Sequence, residues 1–412
     1  MLRKCISIYQ EKWEYGNTFH TRHPCSYPNN HYFVFMKQFS LLAIAMLGTM
    51  LAATAQSKES YLIVGTYTSP GKSEGIYVYK FNTETGESTP VSSVATKNPS
   101  YVAISPDEKY VYAVHEVDSR SGKGGEISAF SFDKKTGKLT LINIEPSGGD
   151  HPCYVEVDKT GKWVFAGNYS SGSLSVYPVK KDGSLGAPTT IQHTGTGKDP
   201  QRQEKPHVHC TYVSPDNKFL FVPDLGADKV MIYAFDARTG KLTPAKQPFV
   251  AADPVGGGPR HFVNHPNKKY AYLIEELSGH VVAYQYNKGE LKEIQSISTH
   301  EDKAGFAGSA DIHVSADGKF LYASNRGDFN TIGSFTIDAA TGKLTPLEHI
   351  STKGKAPRNF NLDPSGNFLL VGNQSSDEIV IFNRDKTTGK LQDSEKRIKV
   401  FAPVCIKWIS VK

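Results

Sequence analysis

Cysteine is scarce in this chain of 412 residues, and the five present are spread too widely to form a disulfide framework. Cys5 and Cys25 stand near the N-terminus, while Cys153, Cys210 and Cys405 lie far apart. No CxxC pair or Cys/His ligand spacing occurs, so a structural zinc site is not indicated and buried free thiols are expected. Long apolar runs are missing too, since none reaches the ~20 residues that a membrane-spanning helix requires. The net charge of +6 is modest, and the lysines gather in turns such as KTGK and PDNK. No basic stripe is interleaved with aromatics, which argues against a nucleic-acid partner. A GxSxG elbow is also absent, so a serine nucleophile has no recognisable seat.

What the chain does have is a repeat. Six segments share one β-run, turn, β-run pattern: Ser100–Tyr112, Cys153–Phe165, His209–Phe221, Arg260–Tyr272, Ala310–Tyr322 and Arg358–Leu370. A second element, a polar turn of the TGKLTP type, centres on Gly86, Gly137, Gly183, Gly240, Gly289, Gly342 and Gly389. The spacing near 50 residues, with several short strands per copy, predicts a β-propeller. The seventh copy is split between YLIVGTY at Tyr61–Tyr67 and PVCIKWISV at Pro403–Val411. Pairing the two would close the ring and leave no unpaired edge. The expectation is an all-β fold: one domain of seven four-stranded antiparallel blades over residues 56–412.

Upstream of the repeat, Met36 begins MKQFSLLAIAMLGTMLAATAQ. A short basic start, an apolar stretch and an Ala53-Thr54-Ala55 cleavage pattern give it the three parts of a secretory signal peptide. Residues 36–55 are therefore expected to be removed on export to the periplasm or outside the cell. Residues 1–35 read as an upstream start-site extension.

Aligning the copies exposes where polar residues stand in costly places. The leading strands begin with Ser100, Cys153, His209, Arg260, Ala310 and Arg358, followed by Tyr101, Tyr154, Cys210, His261, Asp311 and Asn359. In a propeller these strands line the central channel, where arginine and histidine are unfavourable unless paired or solvated. Each second strand ends in a doublet: His115-Glu116, Asn168-Tyr169, Asp224-Leu225, Glu275-Glu276, Asn325-Arg326 and Asn373-Gln374. Antiparallel pairing brings both columns to one channel mouth. His209, Arg260, Arg358, Glu276, Arg326 and Glu116 should converge there, with His261, Asp311, His313 and Gln374 as further substrate contacts.

Each residue also has a structural explanation. The Asn168, Asp224, Asn325 and Asn373 column could simply tie down strand ends. Asp311 and His313 could lock neighbouring blades, and the arginines could form blade-to-blade ion pairs. The loop at residues 195–207 is long enough to bring Arg202 or His207 over the mouth.

Guanidiniums with one or two carboxylates and an imidazole suit an anionic substrate, because the planar fork pairs bidentately with carboxylate or phosphate. They would repel a metal cation. A carboxylate or imidazole for proton transfer beside an arginine for a developing oxyanion fits metal-free opening of an acidic cyclic ester.

The segments GPRHFVNHPNKKYAYLIEEL, SADIHVSADGKFLYASNRG, KAPRNFNLDPSGNFLLVGNQ and PHVHCTYVSPDNKFLFVPDLG resemble the seven-bladed propeller lactonases over residues 60–411. That family includes propeller-type 6-phosphogluconolactonases and fungal carboxymuconate-lactonizing enzymes. The resemblance implies catalytic roles for His209, Arg260, Glu276 and Arg326, with Arg358 able to take the place of Arg326. It implies a small lactone as substrate and no cofactor. Lactonizing cyclisation, a non-catalytic sugar-binding propeller and a calcium-dependent gluconolactonase are the competing expectations. Nothing in the sequence bears on oligomeric state.

Overall fold

The computed structural model describes residues 58–411 apart from positions 70, 123, 302 and 303. The expected leader at residues 36–55 and the extension at 1–35 lie outside the described residues. Among those described, 28 strands form seven four-stranded antiparallel sheets. The two short helical segments are 3-10 turns, Ser119–Ser121 and Gln374–Ser376. No helix among the described residues is long and apolar enough to cross a membrane.

Ring closure follows the split repeat. The first strand, Glu59–Thr66, pairs antiparallel with the last, Pro403–Ser410, and the sheet continues outward through Gly75–Asn82 and Ser88–Ala95. The innermost strands of the other blades are Val102–Ile104, Pro152–Val157, Tyr212–Val213, Pro259–Asn264, Ser309–Val314 and Pro357–Leu362. Second strands such as Tyr270–Glu275 and Phe368–Asn373 are buried along their whole length, because neighbouring blades cover both faces. Outer strands such as Lys241–Ala251 alternate between exposed and partly buried residues, as a strand with one wet face must.

The TGK turns explain their own glycines. All seven adopt positive φ, from 68° at Gly137 to 86° at Gly289. Each also sits against an aromatic ring of the adjacent blade: a Cβ on Gly240 would meet the Trp163 ring at 2.2 Å, and one on Gly389 the Phe320 ring at 2.2 Å. Only glycine satisfies both the left-handed backbone and that close approach. The clasp is completed by hydrogen bonds from Trp163 Nε1 to the Ala237 carbonyl and from the Tyr322 hydroxyl to the Gly389 carbonyl. Each turn therefore welds its blade to its neighbour. The three cysteines within the propeller, Cys153, Cys210 and Cys405, are buried free thiols.

Candidate active site at the channel mouth

Two local features aim the side chains. In five of the inner strands the register shifts near the first residues: between Pro152 and Tyr154, Pro259 and His261, Ser309 and Ile312, Pro357 and Asn359, and Pro403 and Cys405. A bulge inserts an unpaired residue and re-aims it. Cys153, Arg260 and Arg358 are such residues: Cys153 and Arg358 turn into the mouth, and Arg260 turns onto Glu276 behind its wall. Second, the strand-end doublets split by the two-residue period of a strand.

The first member of each doublet is structural. Asn168, Asn325 and Asn373 donate Nδ2 hydrogen bonds to the carbonyls of Ser147, Thr299 and Thr352 at 3.2, 2.8 and 3.0 Å. Asp224 accepts from the backbone N–H groups of His207 and Ala227 and meets His193 Nδ1 at 2.7 Å. Glu275 accepts from the Ser278 hydroxyl and the Asp253 N–H, and burial pushes its carboxyl up to about 8. The second member faces the mouth in most copies.

There, a cavity of about 260 Å³ is lined by Tyr67, Glu116, Cys153, Tyr169, Arg202, His209, Glu276, Arg326 and Arg358. Sequence columns pointed to Glu116, His209, Glu276, Arg326 and Arg358, and all five line it. Arg260 stands behind the wall, only 1% exposed. Gln374 lies in an adjoining pocket of about 430 Å³ that shares Tyr67 with the cavity. His261, Asp311 and His313 lie one layer deeper. Tyr67 and Tyr169 went unmarked in the sequence although both are second members of a doublet; Tyr67 is the seventh, following Thr66 in the split copy. Arg202 comes from the long loop, whereas His207 stays outside the lining and stacks on Tyr169 with ring centroids 4.5 Å apart.

Glu276 is the electrostatic centre. Its Oε2 receives Arg260 Nε at 2.9 Å and Arg326 Nη2 at 2.9 Å, and its Oε1 receives Arg202 Nη2 at 2.6 Å. Burial opposes its ionisation, but Arg326, Arg260, His209 and Arg202 outweigh that and hold the carboxyl well below the usual range. Arg326 also donates Nε to the Gly308 carbonyl at 2.8 Å. Burial draws its own pKa down to about 10. Arg260 Nη1 bonds the Ala310 carbonyl of the next blade and contacts His261 Nε2 at 3.3 Å.

His209 is 4% exposed, with Nδ1 3.8 Å from the Cys153 sulfur. Burial, then Arg260 and His261, push its pKa well below the ordinary histidine value, so the ring is neutral at pH 7. Across the cavity Glu116 accepts hydrogen bonds from the Tyr67 hydroxyl at 2.8 Å and from the Ser100 hydroxyl.

Beneath the mouth a second carboxylate, Asp311, joins three blades. It meets His261 Nδ1 at 2.8 Å, His313 Nε2 at 3.1 Å and the Asn359 amide. Asn359 Oδ1 in turn accepts from the Ile406 N–H at 2.7 Å. Among the described residues no group of three or more His, Cys, Asp or Glu is arranged to hold a metal ion.

The family model described as lactonase, 7-bladed beta-propeller matches residues 61–408. A 6-phosphogluconolactonase of Bacillus subtilis is 40% identical over 352 residues, covering 84% of this chain and 97% of that protein. A 6-phosphogluconolactonase of Formosa agariphila is also 40% identical, covering 82% of this chain and 96% of that protein. The solved structure of the Pseudomonas aeruginosa periplasmic gluconolactonase superposes with a TM-score of 0.82 at 36% identity, covering 86% of this chain and 100% of that one.

Proposed function

The chain belongs to the seven-bladed β-propeller lactonase family, and from that premise we propose that it hydrolyses an acidic sugar lactone, such as 6-phosphogluconolactone, to the open-chain acid without a metal. The observation that carries this reading is the pairing, across one small cavity, of a neutral buried imidazole with guanidiniums gathered on Glu276.

His209 is the base. Its ring is neutral and its Nε2 has no hydrogen-bond partner among the described residues, so a lone pair is available in one tautomer. Glu276 is the weaker candidate, because three guanidiniums hold both its oxygens and stabilise its ionised form. Water attacks the lactone carbonyl carbon as its proton passes to His209. Charge then collects on the carbonyl oxygen, within reach of Arg326, which lines the cavity and keeps an unengaged Nη1. Collapse of the tetrahedral adduct breaks the ring C–O bond, and the imidazolium returns its proton to the departing ring oxygen. Glu276 stabilises that transient imidazolium and fixes Arg326; Arg260 braces Glu276 from behind. The surplus of cationic over anionic side chains around the cavity supports an anionic substrate. The pattern at residues 36–55 supports action in the periplasm or outside the cell.

His209→Asn should lower kcat for lactone opening by about 10²–10⁴-fold. Wild-type kcat/KM should stay flat as pH falls through 6.5 and drop only in more acidic buffer, since protonation of a depressed histidine removes the base. A chelator should leave turnover unchanged. Full activity in the His209 variant would overturn the assignment of the base. Turnover of no lactone by the wild type would redirect the reading to muconate-type cyclisation or a binding propeller.

A further inference from the structure

Four arginines surround the mouth, and their bonding states differ. Arg260 is enclosed, with Nε on Glu276 and Nη1 on the Ala310 carbonyl. Arg326 divides its donors between Glu276 and the Gly308 carbonyl. Arg202 bonds Glu276 and the Tyr169 hydroxyl, the latter at 3.3 Å. Arg358 has no hydrogen bond or ion pair with any described residue. Its guanidinium lies over the Tyr67 ring, 5.5 Å from the centroid, and lines the cavity.

A partly buried guanidinium with all five N–H donors unmatched is an unusual arrangement, because desolvating those donors is costly without acceptors. The nearby carboxylate does not supply them. Glu116 Oε2 is held by the Tyr67 and Ser100 hydroxyls, and Glu116 makes no ion pair with Arg358. The Tyr67 ring covers the guanidinium from one side without using any of its N–H donors. The Arg358 seat and the Glu276 cluster also arise from different blades, so one cavity offers two chemically distinct ends.

We infer that Arg358 is the anion seat of the site: it pairs bidentately with an oxyanion, a phosphate monoester or a carboxylate, at the far end of the sugar and thereby aims the lactone carbonyl at His209 and Arg326. This rests on the lactonase reading and adds the substrate's orientation and its charge selectivity. An incoming anion completes the donor set of Arg358 without breaking any bond present in the free protein. The three arginines on Glu276 already commit part of their donor sets to that carboxylate, so none of them offers a whole fork.

The test compares kcat/KM for 6-phosphogluconolactone, a glucaric acid lactone and glucono-1,5-lactone in wild type, Arg358→Ala and Arg358→Lys. The preference for an anionic over the neutral lactone should fall about 10²-fold in the alanine variant, carried by KM. Lysine, keeping charge but not the fork, should recover part of it. Loss for the phosphate only, or for the carboxylate only, tells which oxyanion the seat takes. An unchanged preference, with all three lactones declining together or not at all, overturns the inference. If the wild type opens no lactone, the hydrolytic reading fails by itself, and calorimetric titration of 6-phosphogluconate against gluconate then decides the seat. Binding of the phosphorylated acid should weaken about 10²-fold in the alanine variant, and equal binding would refute it. If that variant does not fold, the lysine variant carries both measurements, with about a tenfold loss expected.

Discussion

Glu276 and Asp311 sit one layer apart in the same channel, each a buried carboxylate ringed by cationic or hydrogen-bonding side chains from several blades, yet the structure gives them different work. Glu276 gathers three guanidiniums on the wall of an open cavity. Asp311, itself 2% exposed, gathers His261, His313 and Asn359 and ties blades together. Residue type does not separate the two. What separates them is position: Glu276 follows the end of a second strand and lines the cavity, whereas Asp311 lies on an inner strand among side chains of three blades, and the surplus positive charge gathers around Glu276. A carboxylate with three permanent cations polarises its surroundings toward anions; one with two histidines and an amide has no permanent cation beside it and serves as a joint.

Breaking the upper cluster should have the largest effect. Glu276→Gln removes the charge that holds Arg326 in place and favours the imidazolium of His209, so kcat should fall about 10²–10³-fold. Leaving the guanidiniums uncompensated should also cost roughly 3 kcal/mol of stability, read by denaturant unfolding. Because Glu276 raises the pKa of His209, residual activity in this variant should have its acid limb at lower pH than the wild type. An acid limb displaced upward would break the comparison.

The lower cluster should respond in the opposite proportion. Asp311→Ala strands two histidines and an amide, and should destabilise by roughly 2–4 kcal/mol while changing kcat by less than about tenfold. Burial works against the Asp311 carboxylate, but His313 and His261 outweigh it and depress its pKa. Its contribution is therefore present above pH 3.8 and lost as pH falls through the depressed value. Stability differences between wild type and variant should shrink in acid. A gap that widens there would refute the joint.

Arg202 gives the smallest expected effect and sharpens the boundary between the two layers. Its side chain is 38% exposed, so solvent screens its pairing with Glu276. Arg202→Ala should change KM by at most about fivefold with little effect on kcat. A kcat loss comparable to that of Glu276→Gln would make the loop part of the catalytic wall.

The repeat by itself determined the architecture. Seven glycine turns, six strand pairs and a split seventh copy leave one closed arrangement, because strand edges must pair and each glycine must meet a neighbour's ring. The same alignment brought His209, Glu276, Arg326, Arg358 and Glu116 to one mouth, since antiparallel pairing forces strand ends and strand starts together. It did not reveal Tyr67, whose place depends on closing the ring across the whole chain; Arg202, which lines the cavity, was signalled by the length of its loop and not by the repeat. It also placed Arg260, His261, Asp311, His313 and Gln374 beside the substrate, where the tertiary structure distributes them among a hidden brace, a buried joint and a neighbouring pocket. Periodicity specifies which residues share a level of the channel. Only the packed bulges and the balance of charge decide which of them meet solvent, and that is a property of the assembled ring.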